Sequence, residues 1–499
     1  MSKGKWWSVL FAVLAFLLIV PFQAWAAEPE LLISLDDPMA AFLESRAYAA
    51  KMGATAEFRK MEWVAVDPNA KKLYISMSEV NKTMSDGKGD INVPENNCGI
   101  VYEADLDDNY NISMLKPLVV GGPYNAEAKE NQCALDAISN PDSLYVDPYG
   151  NLWIGEDTGY HVNNFVWRWD GKRLQRFAAM PLGAEVTGIL VTSNGDVFFS
   201  VQHPGALNMY PFNRAAVVVI NGFKANDPFE DLPVPTGDAM RTVTVAAGEV
   251  QVLARVGELI PNDARQMVWG QVNNLAGRHQ VTCNHPDGNI WLPTNEQGTE
   301  GYLYTNYECR PGTVGKMYIR HTGERWEVLE GEQVDFASVR GTWNNCGTST
   351  TPWMTGLSGE EYEPLASKAD WKTNVAEMTA YLGEQANPYD YGWIVELIPD
   401  AYGDYIETQV VKHYALGRFS HEMAIVMPDK RTVYHGDDGT GTVLFKSVAD
   451  TPGDLSVATL YAAKVTQNPD ETLSLEWVEL GNASDEDIYA AIRSIQLPE

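Results

Sequence analysis

Short runs of apolar, β-forming residues, each broken by a turn of Asp, Pro, Asn or Gly, recur along the whole chain. Trp63-Val64-Ala65-Val66 runs into Asp67-Pro68 and on to Leu73-Tyr74-Ile75. Leu144-Tyr145-Val146 meets Asp147-Pro148 and then Leu152-Trp153-Ile154. Ile189-Leu190-Val191 passes through Asn194-Gly195 to Val197-Phe198-Phe199. Asp287-Gly288 precedes Ile290-Trp291-Leu292, and Met427-Pro428-Asp429 precedes Thr432-Val433-Tyr434. Each unit predicts a β-hairpin. Hairpins repeated over 499 residues predict an all-β fold, a β-propeller or a solenoid. The irregular spacing means that some blades carry insertions, so the pattern alone does not count them.

Few helices are expected. Residues 37–51 read as helical, and 360–382 as a second helical stretch. Residues 223–262 hold Asp227-Pro228, Pro233, Pro235 and Gly237, which predicts a long connector between halves at about 50–222 and 263–480. A ring that closes on itself needs no domain boundary there, so 27–499 is read as one domain.

The N-terminus sets the compartment. Lys3 and Lys5 precede an apolar run from Ser8 to Val20, and Ala24-Trp25-Ala26 offers small residues for cleavage. This predicts a secretory signal peptide over 1–26. The run is short for a membrane span of roughly 20 residues, and no Arg-Arg pair precedes it. The mature protein is therefore expected in the periplasm or outside the cell, free of the membrane. The formal charge of −31 becomes more negative once Lys3 and Lys5 are removed. Such a surface repels nucleic acid and anionic lipid. It would also repel a phosphorylated substrate unless bound cations reverse the field locally.

Five cysteines leave one over in an exported chain. Cys98 with Cys133, and Cys283 with Cys309, would close two modest loops, although spacing does not fix the connectivity. Cys346 would then remain, in the Gly/Thr/Pro-rich loop Asn345-Cys346-Gly347-Thr348-Ser349-Thr350-Thr351-Pro352-Trp353. A free thiol outside the cell oxidises, and a metal would protect it and lower its pKa. Gly359-Glu360-Glu361 follows closely, so a soft donor and hard carboxylates share one segment.

Other acidic residues stand at the heads or ends of predicted strands. Glu62 precedes Trp63, with Arg59 and Lys60 beside it. Glu62 can bind a cation and either base can hold an oxyanion; a surface ion pair is the plainer alternative. Asp142 and Asp157 flank the next hairpin and suit Ca²⁺, which takes several oxygens at once. Glu185, in Gly183-Ala184-Glu185-Val186-Thr187-Gly188, is either coordinated or on an edge. His203, in Gln202-His203-Pro204-Gly205, can be a ligand, a proton donor or a turn residue. Glu422 enters a strand that should be buried, where an unpaired charge is costly. Asp437-Asp438 sits between Gly436 and Gly439, which let the backbone approach a cation. No phosphate-binding P-loop, nucleophile elbow or H-E-x-x-H helix is present.

Several of these segments resemble the PhoX-type alkaline phosphatases. Asn345-Cys346, Thr351-Pro352-Trp353 and Glu360-Glu361 are similar to that family's N-C-x-G-G-x-T-P-W-x-T…C-E-E signature. Gly417-Arg418-Phe419 with His421-Glu422 resembles its G-R-F-x-H-E, and Tyr434 with Gly436-Asp437-Asp438 its Y-x-G-D-D. Residues 60–66, 141–154, 183–188 and 202–205 are similar to R-P-E-W-V-A-V, P-D-G…L-W-I, G-x-E-V-T-G and Q-H-P-G. The resemblance implies a six-bladed propeller with Fe(III) and Ca²⁺ in its axial channel, and hydrolysis of small phosphate monoesters by a monomer. It implies that Cys346 and Glu361 bind iron and that Glu422 binds metal. Asp438, Glu62, Asp142 and Glu185 would bind calcium or bridge, with Glu360, Asp437, His203 and Asp157 as possible additions.

Lys60, with Arg59 beside it, would stand where the family steadies the phosphoryl group with arginine. Three features depart from the family pattern. The motifs around Glu62, Asp142 and Glu185 precede those around Cys346 and Asp438, as in a circular permutation. Lys60 replaces arginine and loses its fork. Met354 replaces a glycine, and Gly359 a cysteine. A calcium-dependent hydrolase of another ester, such as a phosphodiester or lactone, is the alternative. A non-catalytic metal-binding propeller is the third reading.

Overall fold

A computed structural model describes residues 30–402 and 405–498; the expected signal peptide lies outside the described residues. Six four- or five-stranded antiparallel blades surround a central axis. Their innermost strands are Phe58–Asp67, Pro141–Val146, Glu185–Val191, Pro286–Pro293, Asn345–Thr350 and His421–Val426. Each packs against the next, and the last returns to the first, so the ring is closed. Inner strands are covered on both faces. The alternating burial expected of half-exposed hairpins therefore gives way to continuous burial, as over Glu185–Val191 and Val197–Gln202.

Closure joins the two ends of the chain. Phe58, Arg59 and Met61 of the first blade pair with Thr442, Thr440 and Asp437 of the last. At the outer edge, Leu473 and Ser474 pair with Leu115 and Met114. The first and last blades thus form one nine-stranded sheet.

The stretch 223–262 is not merely a connector. Glu249–Arg255 is the outer strand of the third blade, and Thr244–Val245 extends the second along Ala178 and Ala179. The helical expectation for 37–51 is met by Ala40–Leu43 and Ser45–Lys51. That for 360–382 is met only by Trp371–Asn374 and Ala376–Leu382, because Gly356–Glu360 is a strand. A helix at Asp485–Ser494, capped by Ser484, was not foreseen.

Tight hairpins such as 147–151, 192–196 and 427–431 lie at one end of the propeller. The long connections, including 78–99 and 361–393, gather at the other, where each innermost strand begins. Both disulfides, Cys98–Cys133 and Cys283–Cys309, tie down loops at that end. Cys346 is free and buried.

Candidate metal centre

In every blade the innermost strand carries one extra residue against its neighbour. The bulges fall between Met61 and Val64, Pro141 and Leu144, Thr187 and Leu190, Pro286 and Asn289, Asn345 and Thr348, and His421 and Ala424. A bulge bends its strand and re-aims a side chain. In five blades the first bulged residue is a metal-type donor: Glu62, Asp142, Asp287, Cys346 and Glu422. In the third it is Gly188, at φ 56°, where a Cβ would sit 2.3 Å from the Asp287 carbonyl oxygen. Glu185, three residues earlier, supplies the donor from that blade.

A second tier comes from the adjoining strands. Asp157, His203, Glu308 and Glu361 each directly follow their blade's second strand, and Asp438 lies within Thr432–Thr442. The two tiers enclose a cavity of about 80 Å³ lined by nine carboxylates, Cys346, Tyr362 and Lys60. Among the described residues, ligand atoms within 4.8 Å of one another form four groups. These are Cys346, Glu361 and Glu422; Asp287, Glu308 and Cys346; Glu62, Asp142 and Glu422; and Asp157, Glu185 and His203.

Few of these carboxylates have protein donors. Ser78 Oγ donates to Glu62 Oε1 at 2.6 Å, Gln202 Nε2 to Asp287 Oδ2 at 2.6 Å, and Asn344 Nδ2 to Glu361 Oε2 at 3.2 Å. The Cys346 thiol donates to Glu422 Oε1 at 3.0 Å. His203 Nε2 lies 3.2 Å from Glu185 Oε1. Lys60 Nζ lies 3.0 Å from Glu62 Oε1 and 3.6 Å from Asp438 Oδ2. Asp142 Oδ1, Asp287 Oδ1 and Asp438 Oδ1 are buried with no hydrogen-bond partner. Buried polar atoms are almost always satisfied, and cations would satisfy these three.

The electrostatics agree. Burial, then the Asp438 charge, pushes Glu62 up to about 7. Burial and neighbouring carboxylates hold Asp142, Glu185, Asp287, Glu361 and Glu422 well above the usual range. Burial, then Asp287 and Glu308, raises the Cys346 thiol. Burial lowers Lys60, but Glu62, Asp438 and Asp157 outweigh it and hold the ammonium charged. One lysine cannot neutralise so many acids. Hard oxygens suit calcium, and the thiolate beside Glu361 and Glu422 suits a transition metal.

Of the residues singled out in the sequence, Glu62, Asp142, Glu185, Cys346, Glu361, Glu422, Asp438, Lys60, Asp157 and His203 meet here. Three do not. Glu360 pairs with Lys412 Nζ at 2.8 Å and accepts from the Gly392 and Trp393 amides. Asp437 accepts from Arg46 Nε at 2.9 Å. Arg59 binds Glu79 at 2.5 Å and the Gly439 carbonyl oxygen at 3.1 Å. Asp287 and Glu308 were missed. Asp287-Gly288 read as a hairpin turn but lies in the bulge of Pro286–Pro293. The signal was its repetition of Pro141-Asp142 as Pro286-Asp287.

A sequence model of the family described as alkaline phosphatase PhoX matches residues 35–205 and 312–497. The chain belongs to that family. No curated protein matches it. Among solved structures, Pseudomonas fluorescens PhoX in complex with vanadate, a transition state analogue, is 24% identical over 35% of each chain (TM-score 0.29). This chain thus spans about a third of that structure. The Pseudomonas aeruginosa periplasmic gluconolactonase PpgL is 11% identical over 85% of this chain and 86% of its own (TM-score 0.37). Penicillium chrysogenum α-L-arabinanase is 10% identical over 86% and 97% (TM-score 0.37).

Two departures from the PhoX pattern have structural explanations. Met354 is exposed at φ 66°, in the turn closed by Met354 N–H donating to the Thr351 carbonyl at 3.0 Å. It lies at the hairpin end, away from the cavity, in a conformation that favours glycine. At Gly359 a Cβ would lie 2.4 Å from the His421 carbonyl oxygen. This backbone, with the fifth and sixth blades so close, has no room for a side chain at this position.

Proposed function

We propose that this PhoX-family protein is an exported, metal-dependent phosphatase that hydrolyses phosphate monoesters at an iron–calcium centre. The observation that carries this reading is the convergence of nine carboxylates, all but Asp157 buried or half-buried, and one thiol, from all six blades, on one cavity with a single lysine. Cys346, Glu361 and Glu422 would hold iron, with Asp287 and Glu308 within reach of the same sulfur. Glu62, Asp142 and Asp438 would hold calcium, and Asp157, Glu185 and His203 a further cation. When bound, the metals supply positive charge and Lewis acidity toward a phosphoryl oxygen.

The protein's own groups do the rest. Ser78 and Asn344 orient Glu62 and Glu361 by hydrogen bonds, and Gln202 orients Asp287. The Lys60 ammonium, held between Glu62 and Asp438, would steady a phosphoryl oxygen. Most of the lining is buried, which strengthens each of these interactions. Two disulfides on the loops around the site fit an oxidising compartment. The strongly acidic chain would act as a monomer on small phosphorylated substrates, with no nucleic-acid or membrane partner.

The test is phosphate release from p-nitrophenyl phosphate by purified protein, beside a phosphodiester and a lactone. Elemental analysis accompanies it. Iron with excess calcium, and turnover that is lost on chelation and in Cys346→Ala, is the expected result. Full activity in Cys346→Ala, or turnover of the diester or lactone alone, refutes the reading.

A further inference from the structure

Resting on that reading, we infer that Tyr362 is a second phosphoryl-binding residue, acting beside Lys60. Both side chains line the cavity. Both converge on one atom: the Tyr362 hydroxyl donates to Asp438 Oδ2, and Lys60 Nζ lies 3.6 Å from the same oxygen. The other oxygen of that carboxylate, Oδ1, is buried and unpartnered. Asp438 thus faces two hydrogen-bond donors with one oxygen and leaves the other buried without a protein partner. Tyr362 is 45% exposed, so its hydroxyl can turn from Asp438 to an incoming oxyanion without unpacking the core.

The backbone supports the assignment. Tyr362 has φ 50° and Lys60 φ 46°. This left-handed conformation is uncommon for residues other than glycine and asparagine. The positions equivalent to Lys60 in the second and fifth blades, two residues before the bulged donor, are Asn140 and Asn344, at φ 44° and 42°. Two of the six blades hold asparagine at this position, a residue that tolerates the conformation, and the first holds lysine. At Tyr362 the conformation is held from both sides. Its N–H donates to Ser420 Oγ at 2.8 Å, and its carbonyl accepts from Trp343 Nε1 at 2.9 Å. Strain retained by such over-determination clusters at binding sites. Here it sits at the two donors that flank Asp438.

An arginine offers two coplanar donors to a phosphoryl group, and a lysine is a point charge. A phenol beside the ammonium supplies a second donor, so Tyr362 governs affinity for the phosphoryl group rather than metal loading. The experiment uses metal-loaded wild type, Tyr362→Phe and Lys60→Arg/Tyr362→Phe. It measures inorganic phosphate affinity by calorimetry, KM and kcat on p-nitrophenyl phosphate, and metal content.

Loss of one hydrogen bond to a charged group should weaken phosphate binding about ten- to a hundredfold in Tyr362→Phe. KM should rise in step and metal content should stay unchanged. Arginine at 60 should recover most of that loss. Unchanged phosphate affinity in Tyr362→Phe overturns the assignment. So does a parallel loss of metal, which would make the phenol a positioning group for Asp438. A wild type that binds phosphate but turns over no monoester refutes the phosphatase reading instead, and the affinity comparison still decides the role of Tyr362.

Discussion

Stripped of its cations, this protein should lose stability as pH rises from 5 to 8. Glu62 shows why. Its carboxyl is pushed from 4.5 to about 7, first by burial and then by Asp438. A carboxyl with a folded pKa above its unfolded value binds more protons in the folded state between the two values. The free energy of unfolding therefore falls as pH climbs through that window, and the full penalty is present above pH 7. For Glu62 the displacement corresponds to about 3 kcal/mol. Unfolding entropy near 2.1 cal/mol/K per residue gives about 1 kcal/mol/K for 499 residues. Glu62 alone then lowers Tm by about 3 °C. Asp142, Glu185, Asp287, Glu361 and Glu422 are raised for the same causes and add in the same direction.

Bound cations cancel this term, because a carboxylate facing a cation is held ionised in the folded state. Other groups titrate in the same range. His413 is raised to about 9 by Asp485 and Glu396 despite its burial, so its stabilisation is complete below 6.5 and is lost as pH rises through 9. It contributes equally with and without metal, so the difference between the two forms isolates the centre. The assay is scanning calorimetry of chelated and metal-loaded protein at pH 5, 6, 7 and 8. The gap in Tm should widen steadily with pH. A gap that is constant or narrows refutes the electrostatic account of the cavity.

Three further outcomes follow from the packing. Glu360→Gln should cost about 3–5 kcal/mol, because it strands the buried Lys412 ammonium; metal content of the folded protein should not change, which elemental analysis checks. Gly359→Cys should destabilise by about 1–3 kcal/mol through overpacking against the His421 carbonyl. It should bind no additional iron, as calorimetry and metal analysis together would report. Replacing Cys98 and Cys133 by serine removes a cross-link spanning 35 residues and should cost about 4 kcal/mol. Tm should fall by about 4 °C, and reductant should lower the Tm of that variant less than that of the wild type.

Much of this was legible in the sequence. Hairpin repeats with Asp-Pro and Asn-Gly turns announce blades because they are local, and the spacing of the cysteines suggested both disulfides. Asp287 and Glu308 escaped because their signal is not local. Asp287-Gly288 is sound turn chemistry taken alone, and only the pairing of Pro286 with Tyr307 and Asn289 with Thr305 shows a bulge there. Likewise 223–262 has a connector's prolines and glycines, yet Glu249–Arg255 is ordered by pairing with Ala216–Asn221. A strand recruited by a neighbour's edge leaves little trace in its own composition.

The three residues that the structure sets apart from the cavity each stand beside one that lines it. Arg59 precedes Lys60, Glu360 precedes Glu361, and Asp437 precedes Asp438. Successive side chains of extended backbone point to opposite sides, which parts Glu360 from Glu361 and Asp437 from Asp438. Arg59 and Lys60 are parted instead where the strand takes a left-handed residue, φ 46° at Lys60. Lys60, Glu361 and Asp438 go inward. Their neighbours face away, and each meets an opposite charge from elsewhere in the chain: Glu79, Lys412 and Arg46. Doubled charges at the strand ends therefore serve two purposes, one residue for the centre and one for an ion pair that anchors the strand. The same geometry makes motif order along the chain irrelevant. Phe58, Arg59 and Met61 pair directly with Thr442, Thr440 and Asp437. Glu62 of the first blade and Asp438 of the last are thus neighbours, although about three-quarters of the chain separates them in sequence.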